Sequence, residues 1–427
     1  MRRAITAFFR LCLRIFFRRI ELLGLERVPS TGAVVFAVNH QNGLVDPLFL
    51  LCFAPARVSF LAKAPLFSYP IIGSIIRAFD TIPVHRKQEV GDRPLAELNA
   101  QMFATAREVL QHGGSIAIFP EGTSHDDPQM RELKTGAARI ALGANVPSMT
   151  VVPTGIYYTA KHAFRSSALV LFGEPIHVQP LGIEGEPPVD DVDRLTAAID
   201  AGLDAVTLQA ESHAALDLIA RAEDIFTADD EQPLIEEFGL RRNFLEGYHY
   251  LCKTDPQRLA KLERSMMRLE AELRRAKLDV HELQPRINIL HLIVVVLLLP
   301  FALIGAIVHW PAYGTVDALT KRFSKGERNM MATVKFLAAL ALYPVMYLTL
   351  AFLAGWRFGF VAGFATLFIV PLLGYLALRI MEEMGDLSGD FRALQHRMFR
   401  GRGHARLVTR RNAIRDEMLS IAREMQR

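Results

Sequence analysis

Cysteine is scarce: the 427 residues contain three, Cys12, Cys52 and Cys252, far apart and odd in number. That argues against a disulfide framework and against a metal knuckle, and fits a reducing compartment. The signature loops of several enzyme classes are missing too. There is no Gly-x-Ser-x-Gly elbow of a serine hydrolase, no P-loop, no dinucleotide fingerprint and no zinc-protease helix. The net charge of +4 is too small to point to nucleic acid. No internal repeat or low-complexity tract is present. Acidic residues are absent from the first twenty positions, which hold Arg2, Arg3, Arg10, Arg14, Arg18 and Arg19 among Phe8, Phe9, Leu11, Leu13, Ile15, Phe16 and Phe17. Residues 1–27 therefore read as a basic amphipathic segment on an anionic membrane surface, with an ordinary surface helix as the alternative. A signal peptide does not fit, because Arg10 and Arg14 interrupt the apolar run and no small-residue cleavage site follows.

What the chain does have is an uneven distribution of apolar residues, which make up 51% of it. Residues 28–215 read as an α/β domain. Candidate strands are Ala33–Val38, Val58–Leu61, Thr81–Val84, Ser115–Phe119, Thr150–Gly155 and Ala168–Phe172, with the clearest helices at Pro94–Gln111 and Thr135–Ala144. Such alternation predicts a mostly parallel sheet flanked by helices, with its site beyond the strand ends. Residues 216–287 read as a helical linker. Asp255-Pro256 starts a helix whose Leu259, Leu262, Met266, Leu269, Leu273, Ala276, Val280 and Leu283 form a seam. That seam predicts either a homodimeric coiled coil or a helix docked on its own domain. In residues 288–380 three apolar runs, Ile289–Val308, Phe336–Ala354 and Phe358–Leu378, are each near the ~20 residues that cross a bilayer. Residues 381–427 read as a basic cytosolic tail.

Three segments carry chemistry. Asn39-His40-Gln41-Asn42-Gly43-Leu44-Val45-Asp46 follows the first strand, and His with a nearby Asp suggests a general base and its orienting carboxylate. The Asn42-Gly43 turn would fold Asp46 back onto His40, although Asp46-Pro47 is also a plain helix start. Phe119-Pro120-Glu121-Gly122-Thr123-Ser124-His125 offers backbone N–H groups and hydroxyls to a phosphate, and Lys134 opens the next helix. Thr81-Ile82-Pro83-Val84-His85-Arg86 ends in a planar cationic fork. Lys63 and Pro153-Thr154-Gly155-Ile156 are weaker signals, explicable as a surface lysine and a turn.

In this order the segments resemble the phospholipid/glycerol acyltransferase family, with its His-and-Asp, Arg, Phe-Pro-Glu-Gly and Val-x-Pro blocks. Leu133-Lys134-Thr135-Gly136 and Gly173-Glu174-Pro175-Ile176 match further elements, so the resemblance covers residues 28–176. Within the family, Gly43-Leu44-Val45-Asp46-Pro47 and the run from Pro120 to Asp126 look most like the glycerol-3-phosphate/dihydroxyacetone-phosphate acyltransferases known in fungi. Five residues separate His40 from Asp46, where the commoner enzymes have four.

The resemblance implies a membrane-bound O-acyltransferase of phospholipid synthesis. His40 would deprotonate an acceptor hydroxyl and Asp46 would orient it. Arg86, Glu121, Gly122, Thr123 and Lys63 would hold a glycerol phosphate, with Asn39, Lys134 and Pro153 in support. The acyl donor would be acyl-CoA or acyl carrier protein, with no cofactor and no metal. Acceptors differing beyond the phosphate, glycerol 3-phosphate, dihydroxyacetone phosphate and 1-acylglycerol 3-phosphate, stay open. A His/Asp thioesterase and a non-catalytic membrane scaffold are the competing readings.

The donors place the catalytic domain in the cytosol, at the inner membrane in a bacterium. The Arg-rich C-terminus then favours a two-span hairpin of Phe336–Ala354 and Phe358–Leu378, turning at Gly355-Trp356-Arg357. Ile289–Val308, divided by Pro300, is expected to re-enter or to lie in the interface, unless it spans.

Overall fold

The computed structural model describes residues 2–85, 95–183, 185–228, 232–284, 289–324 and 326–426. The chain forms two units, Met1–Glu211 with Gly326–Thr333, and Ser212–Lys325 with Val334–Arg427.

The first unit begins with α1 (Arg2–Phe16), β1 (Arg19–Leu23), β2 (Ala33–Val38), α2 (Val45–Phe53), β3 (Val58–Lys63), α3 (Pro70–Ala78), β4 (Ile82–Val84) and α4 (Leu95–Gln111). It continues with β5 (Ser115–Ile118), α5 (Gly136–Gly143), β6 (Met149–Tyr158), β7 (Ser167–Phe172), β8 (Ile176–Val178) and α6 (Val189–Val206). The strands make one sheet in the order β1-β7-β6-β2-β5-β3-β4, with β8 on the far part of β6. All pairings are parallel except β6 with β7 and with β8.

The reason for the central position of β2 is visible in its sequence. All six side chains of Ala33-Val34-Val35-Phe36-Ala37-Val38 are buried, as a strand covered on both faces requires. Each large apolar side chain so buried contributes about 1.5–3 kcal/mol. Because β2, β5, β3, β4 and β6 run parallel, their C-terminal ends share one edge. That edge collects His40, the turn after Ile118, Lys63, His85 and Tyr158.

Two of these elements were not foreseen. β1 lies within the basic N-terminal segment, and its Arg19–Leu23 pairs with Ser167–Leu171. β8 is only three residues long. α1 is helical and amphipathic as expected, but Phe9, Leu13 and Phe16 are buried on the sheet unit, and Arg2 donates to the Val58 carbonyl at 2.8 Å. Phe8, Leu11 and Ile15 keep an exposed apolar stripe.

In the second unit, α7 (His213–Thr227), α8 (Leu234–Thr254), α9 (Pro256–Ala276) and α13 (Gly401–Met425) surround one core. Ser212 and Asp255 cap α7 and α9, accepting from Ala215 N at 3.1 Å and Arg258 N at 3.0 Å. Every seam residue from Leu262 to Leu283 belongs to this core, facing Leu407, Ile414 and Met418 of α13. The seam is thus covered by the chain's own helices, the second of the two arrangements its spacing allowed. It also makes the C-terminus a packed helix rather than a tail.

Three further helices, α10 (Ile289–Phe323), α11 (Arg328–Phe358) and α12 (Phe360–Phe399), are long and apolar enough to cross a membrane. Leu297, Ile307, Phe352, Phe368 and Leu372 are more than half exposed, as lipid-facing side chains would be. α10 is continuous through Pro300 and Pro311, so no re-entrant hairpin forms there. Val295 and Ala302 of α10 pack with Ile380 of α12. The α11–α12 turn falls at Gly359, whose φ of 93° suits only glycine, and not at Gly355-Trp356-Arg357. With 40 residues α12 is about twice the length a bilayer needs, and Ala393 near its end joins the core around α9.

Candidate active site

His40 stands two residues past the end of β2. The chain then turns through Gln41–Leu44 into α2, and the imidazole Nδ1 lies 3.0 Å from Asp46 Oδ2. Asp46 is not the cap of α2, that place being Leu44. Its carboxylate is wholly buried and receives four donors. Oδ2 accepts from His40 Nδ1, from Gln41 N at 2.8 Å and from Asn42 N at 2.7 Å. Oδ1 accepts the Tyr158 hydroxyl at 2.5 Å. Surrounded only by donors, the carboxylate acts as acceptor throughout, which places the imidazole proton on Nδ1 and leaves Nε2 as the basic nitrogen. Burial and the Asp46 charge push the Tyr158 phenol well above its ordinary pKa, so it stays a donor.

The turn after β5 locks onto this loop. The Phe119 ring stacks on the His40 imidazole with centroids 4.2 Å apart. Glu121, 4% exposed, accepts the His40 backbone N–H through Oε1 at 2.7 Å. Its Oε2 accepts from His125 Nε2 and from Arg131 N. His125 N in turn donates to the His40 carbonyl at 3.2 Å. The Glu121 carboxylate is therefore committed to holding the two segments together. Both oxygens of Glu121, expected from the sequence to lie at the substrate phosphate, are engaged in these contacts.

The expected anion-binding groups gather beside this turn only in part. Gly122 has φ of 76°, and a Cβ there would run into the Lys134 side chain, which lies over the turn. Thr123 Oγ1 accepts from Arg131 Nη1 at 3.2 Å. Lys63 ends β3, is exposed, and pairs in register with Val84 of β4. Arg86 lies outside the described residues.

The supporting residues divide. Asn39 Oδ1 accepts from Ile156 N at 2.7 Å and its Nδ2 donates to Ile156 O at 3.1 Å, extending the β2–β6 ladder through a side chain. Pro153 is not in a turn. It lies inside β6, between the stretch paired with β8 and that paired with β7, where its missing N–H leaves no ladder gap. A Cβ at Gly202 of α6 would collide with its ring, and one at Gly155 with the Val206 carbonyl, so this block seats α6 on β6.

Five contributors were not read from the sequence: Phe119 as a ring partner, His125, Arg131, Tyr158 and Thr333. Thr333, in the first turns of α11, accepts the Leu44 N–H at 3.2 Å through Oγ1. His125 closes the Phe119–His125 segment, though with no role of its own assigned from sequence, and Arg131 follows it, whereas Tyr158 and Thr333 lie 112 and 289 residues from their partners and carry no local signal.

Comparison with known proteins meets this geometry at both ends of the chain. Residues 19–157 match the Acyltransferase family and residues 223–426 match the Glycerol-3-phosphate acyltransferase 2 C-terminal domain. The chain thus carries an acyltransferase domain, followed by a region that matches that C-terminal domain. An uncharacterized acyltransferase of Schizosaccharomyces pombe is 26% identical over 89% of this chain and 74% of its own length. Glycerol-3-phosphate O-acyltransferase 1 of Saccharomyces cerevisiae is 26% identical over 78% of the chain and 58% of its own length. The chloroplastic 1-acyl-sn-glycerol-3-phosphate acyltransferase LPAT1 of Arabidopsis thaliana is 29% identical over 38% of the chain and 44% of its own. The chain thus spans a little over half the length of the budding-yeast enzyme.

Proposed function

We propose that this acyltransferase moves a fatty acyl group from a thioester, acyl-CoA or acyl carrier protein, to a hydroxyl of glycerol 3-phosphate or dihydroxyacetone phosphate. The observation that carries the reading is the His40–Asp46 pair at 3.0 Å, with Asp46 fully buried and its four donors fixing the imidazole tautomer.

In the proposed step, His40 Nε2 removes the acceptor's hydroxyl proton as its oxygen attacks the thioester carbonyl. The tetrahedral species collapses, the C–S bond breaks, and the proton on His40 passes to the departing thiolate. Asp46 holds the ring and supports the imidazolium that forms in between. A thiolate leaves readily, so no covalent enzyme intermediate is needed. Positioning supplies part of the rate, and a placed general base adds about 10²–10⁴-fold. Lys63, Lys134 and Arg86, with the Gly122-Thr123 turn, are the groups proposed to hold the phosphate. The placement of Lys63, Lys134 and the Gly122-Thr123 turn on the edge that carries His40 supports this for the described residues.

The match of residues 223–426 favours an unacylated glycerol phosphate over 1-acylglycerol 3-phosphate, and the yeast glycerol-3-phosphate O-acyltransferase 1 matches 78% of the chain where the 1-acylglycerol-3-phosphate enzyme LPAT1 matches 38%. Purified protein with a long-chain acyl-CoA, offered each acceptor in turn and read by product mass, tests the assignment. Preferred acylation of 1-acylglycerol 3-phosphate contradicts it. Acyl-CoA hydrolysis at the same rate with and without any acceptor identifies a thioesterase instead.

A further inference from the structure

We infer that Tyr158 is a positioning residue of this centre, setting the rotation of the Asp46 carboxylate and through it the aim of His40. The inference rests on the acyl transfer proposed above and adds to it a residue outside every recognised motif.

The terminal torsion of an Asp side chain is broad, so packing alone does not fix where its oxygens point. Three N–H donors meet Asp46 on Oδ2, all from residues 40–42 of one short loop. Oδ1 is engaged by the Tyr158 hydroxyl at 2.5 Å, from a different element. Glu121, His125 and Thr333 tie the loop's main chain to its surroundings, whereas the Tyr158 hydroxyl ties the Asp46 carboxylate itself to the sheet.

Tyr158 suits that task. It is the last residue of β6, which runs parallel to β2, so it reaches the edge where His40 stands. Its ring is 6% exposed and stacks on Phe17 with centroids 5.7 Å apart, while Phe49 meets it edge-on at 6.0 Å. The hydroxyl therefore projects from a rigid aromatic block. Its raised pKa keeps the proton in place across the working range.

A buried tyrosine that merely needed a hydrogen-bond partner would show the same distance. The two roles part in a double-mutant cycle. Tyr158→Phe keeps the ring packing and removes only the hydroxyl. Acylation of glycerol 3-phosphate by a long-chain acyl-CoA is expected to lose about tenfold or more in kcat, with both KM values nearly unchanged. With the hydroxyl gone the Asp46 charge acts more fully on His40, so the acid limb of the kcat/KM profile moves to higher pH. On an Asp46→Asn background, Tyr158→Phe should cost nothing further, since Tyr158 acts through that carboxylate.

An unchanged kcat in Tyr158→Phe, or the same loss on both backgrounds, overturns the assignment. If Tyr158→Phe does not fold, 3-fluorotyrosine at position 158 keeps shape and hydroxyl while making the proton more acidic. An unmoved acid limb in that protein overturns it equally. His40→Ala, measured alongside, separates the two ideas. If His40→Ala is active, the reading of the site fails; if it is inactive while Tyr158→Phe behaves as wild type, only Tyr158 has been misassigned.

Discussion

Glu121 Oε1 accepts the backbone N–H of His40 at 2.7 Å, so the acidic residue of one motif holds the main chain of another, 81 residues away. Its second oxygen takes the Nε2 proton of His125, whose Nδ1 accepts from Asp127 N. Glu121→Gln preserves the size and one acceptor but turns an amide NH₂ toward a donor in a buried place. Leaving such a pair mismatched costs about 1–3 kcal/mol. Thermal unfolding of the variant should shift down accordingly, and kcat should fall more than either KM rises. A rise in acceptor KM alone would return Glu121 to the phosphate site.

Gly122 and Lys134 make the corresponding test of anion binding. Gly122→Ala puts a side chain at φ of 76° and displaces Lys134 from the turn. About 1 kcal/mol of stability should be lost through the backbone. The KM for glycerol 3-phosphate should rise several-fold in Gly122→Ala and in Lys134→Ala, the KM for acyl-CoA much less. Equal rises in both constants would place these residues away from the phosphate.

Thr333 ties the catalytic loop to the start of α11, being 8% exposed with its Oγ1 accepting from Leu44 N. Thr333→Val conserves shape and strands that partly buried N–H, so kcat should drop a few-fold and the melting temperature should fall modestly. Activity equal to wild type would mean that this hydrogen bond does not restrain the loop.

The same contact bears on topology. Gly326–Thr333 fold with the catalytic unit. The loop between α10 and α11 is therefore expected on that unit's side of the membrane, the side where soluble thioester donors meet it. The Arg-rich α13 satisfies the positive-inside rule if it lies there too. Ser324, a natural reporter by sequence, is buried, whereas Glu327 is exposed. The native Cys12, Cys52 and Cys252 are replaced to give a thiol-free background. Glu327→Cys should resist an impermeant thiol reagent outside intact cells and react after permeabilisation. Labelling from outside would favour three full crossings.

What the sequence disclosed follows physical range. β2 and β5 were legible because a short apolar run buried on both faces is distinctive, and His40 with Asp46 because a six-residue turn brings them together. β1 was hidden since Arg18-Arg19-Ile20-Glu21 continues a basic helical segment, and only its pairing with β7 makes it a strand. Pro300 suggested a break, yet α10 carries it without one, because apolar neighbours along the whole length favour continued helix. The seam on α9 was real, but periodicity states only that a face is covered, not by what. Tyr158 and Thr333 depend wholly on tertiary folding.

His40 is the base of the proposed reaction. The most direct measurement compares wild-type and His40→Ala protein, purified in folded form as judged by an unchanged melting curve. Each receives a long-chain acyl-CoA and glycerol 3-phosphate, and the acylglycerol phosphate formed is quantified by mass. The account predicts steady product from the wild type and a loss of about 10²-fold or more in the variant. A folded His40→Ala protein that acylates glycerol 3-phosphate at the wild-type rate would contradict it.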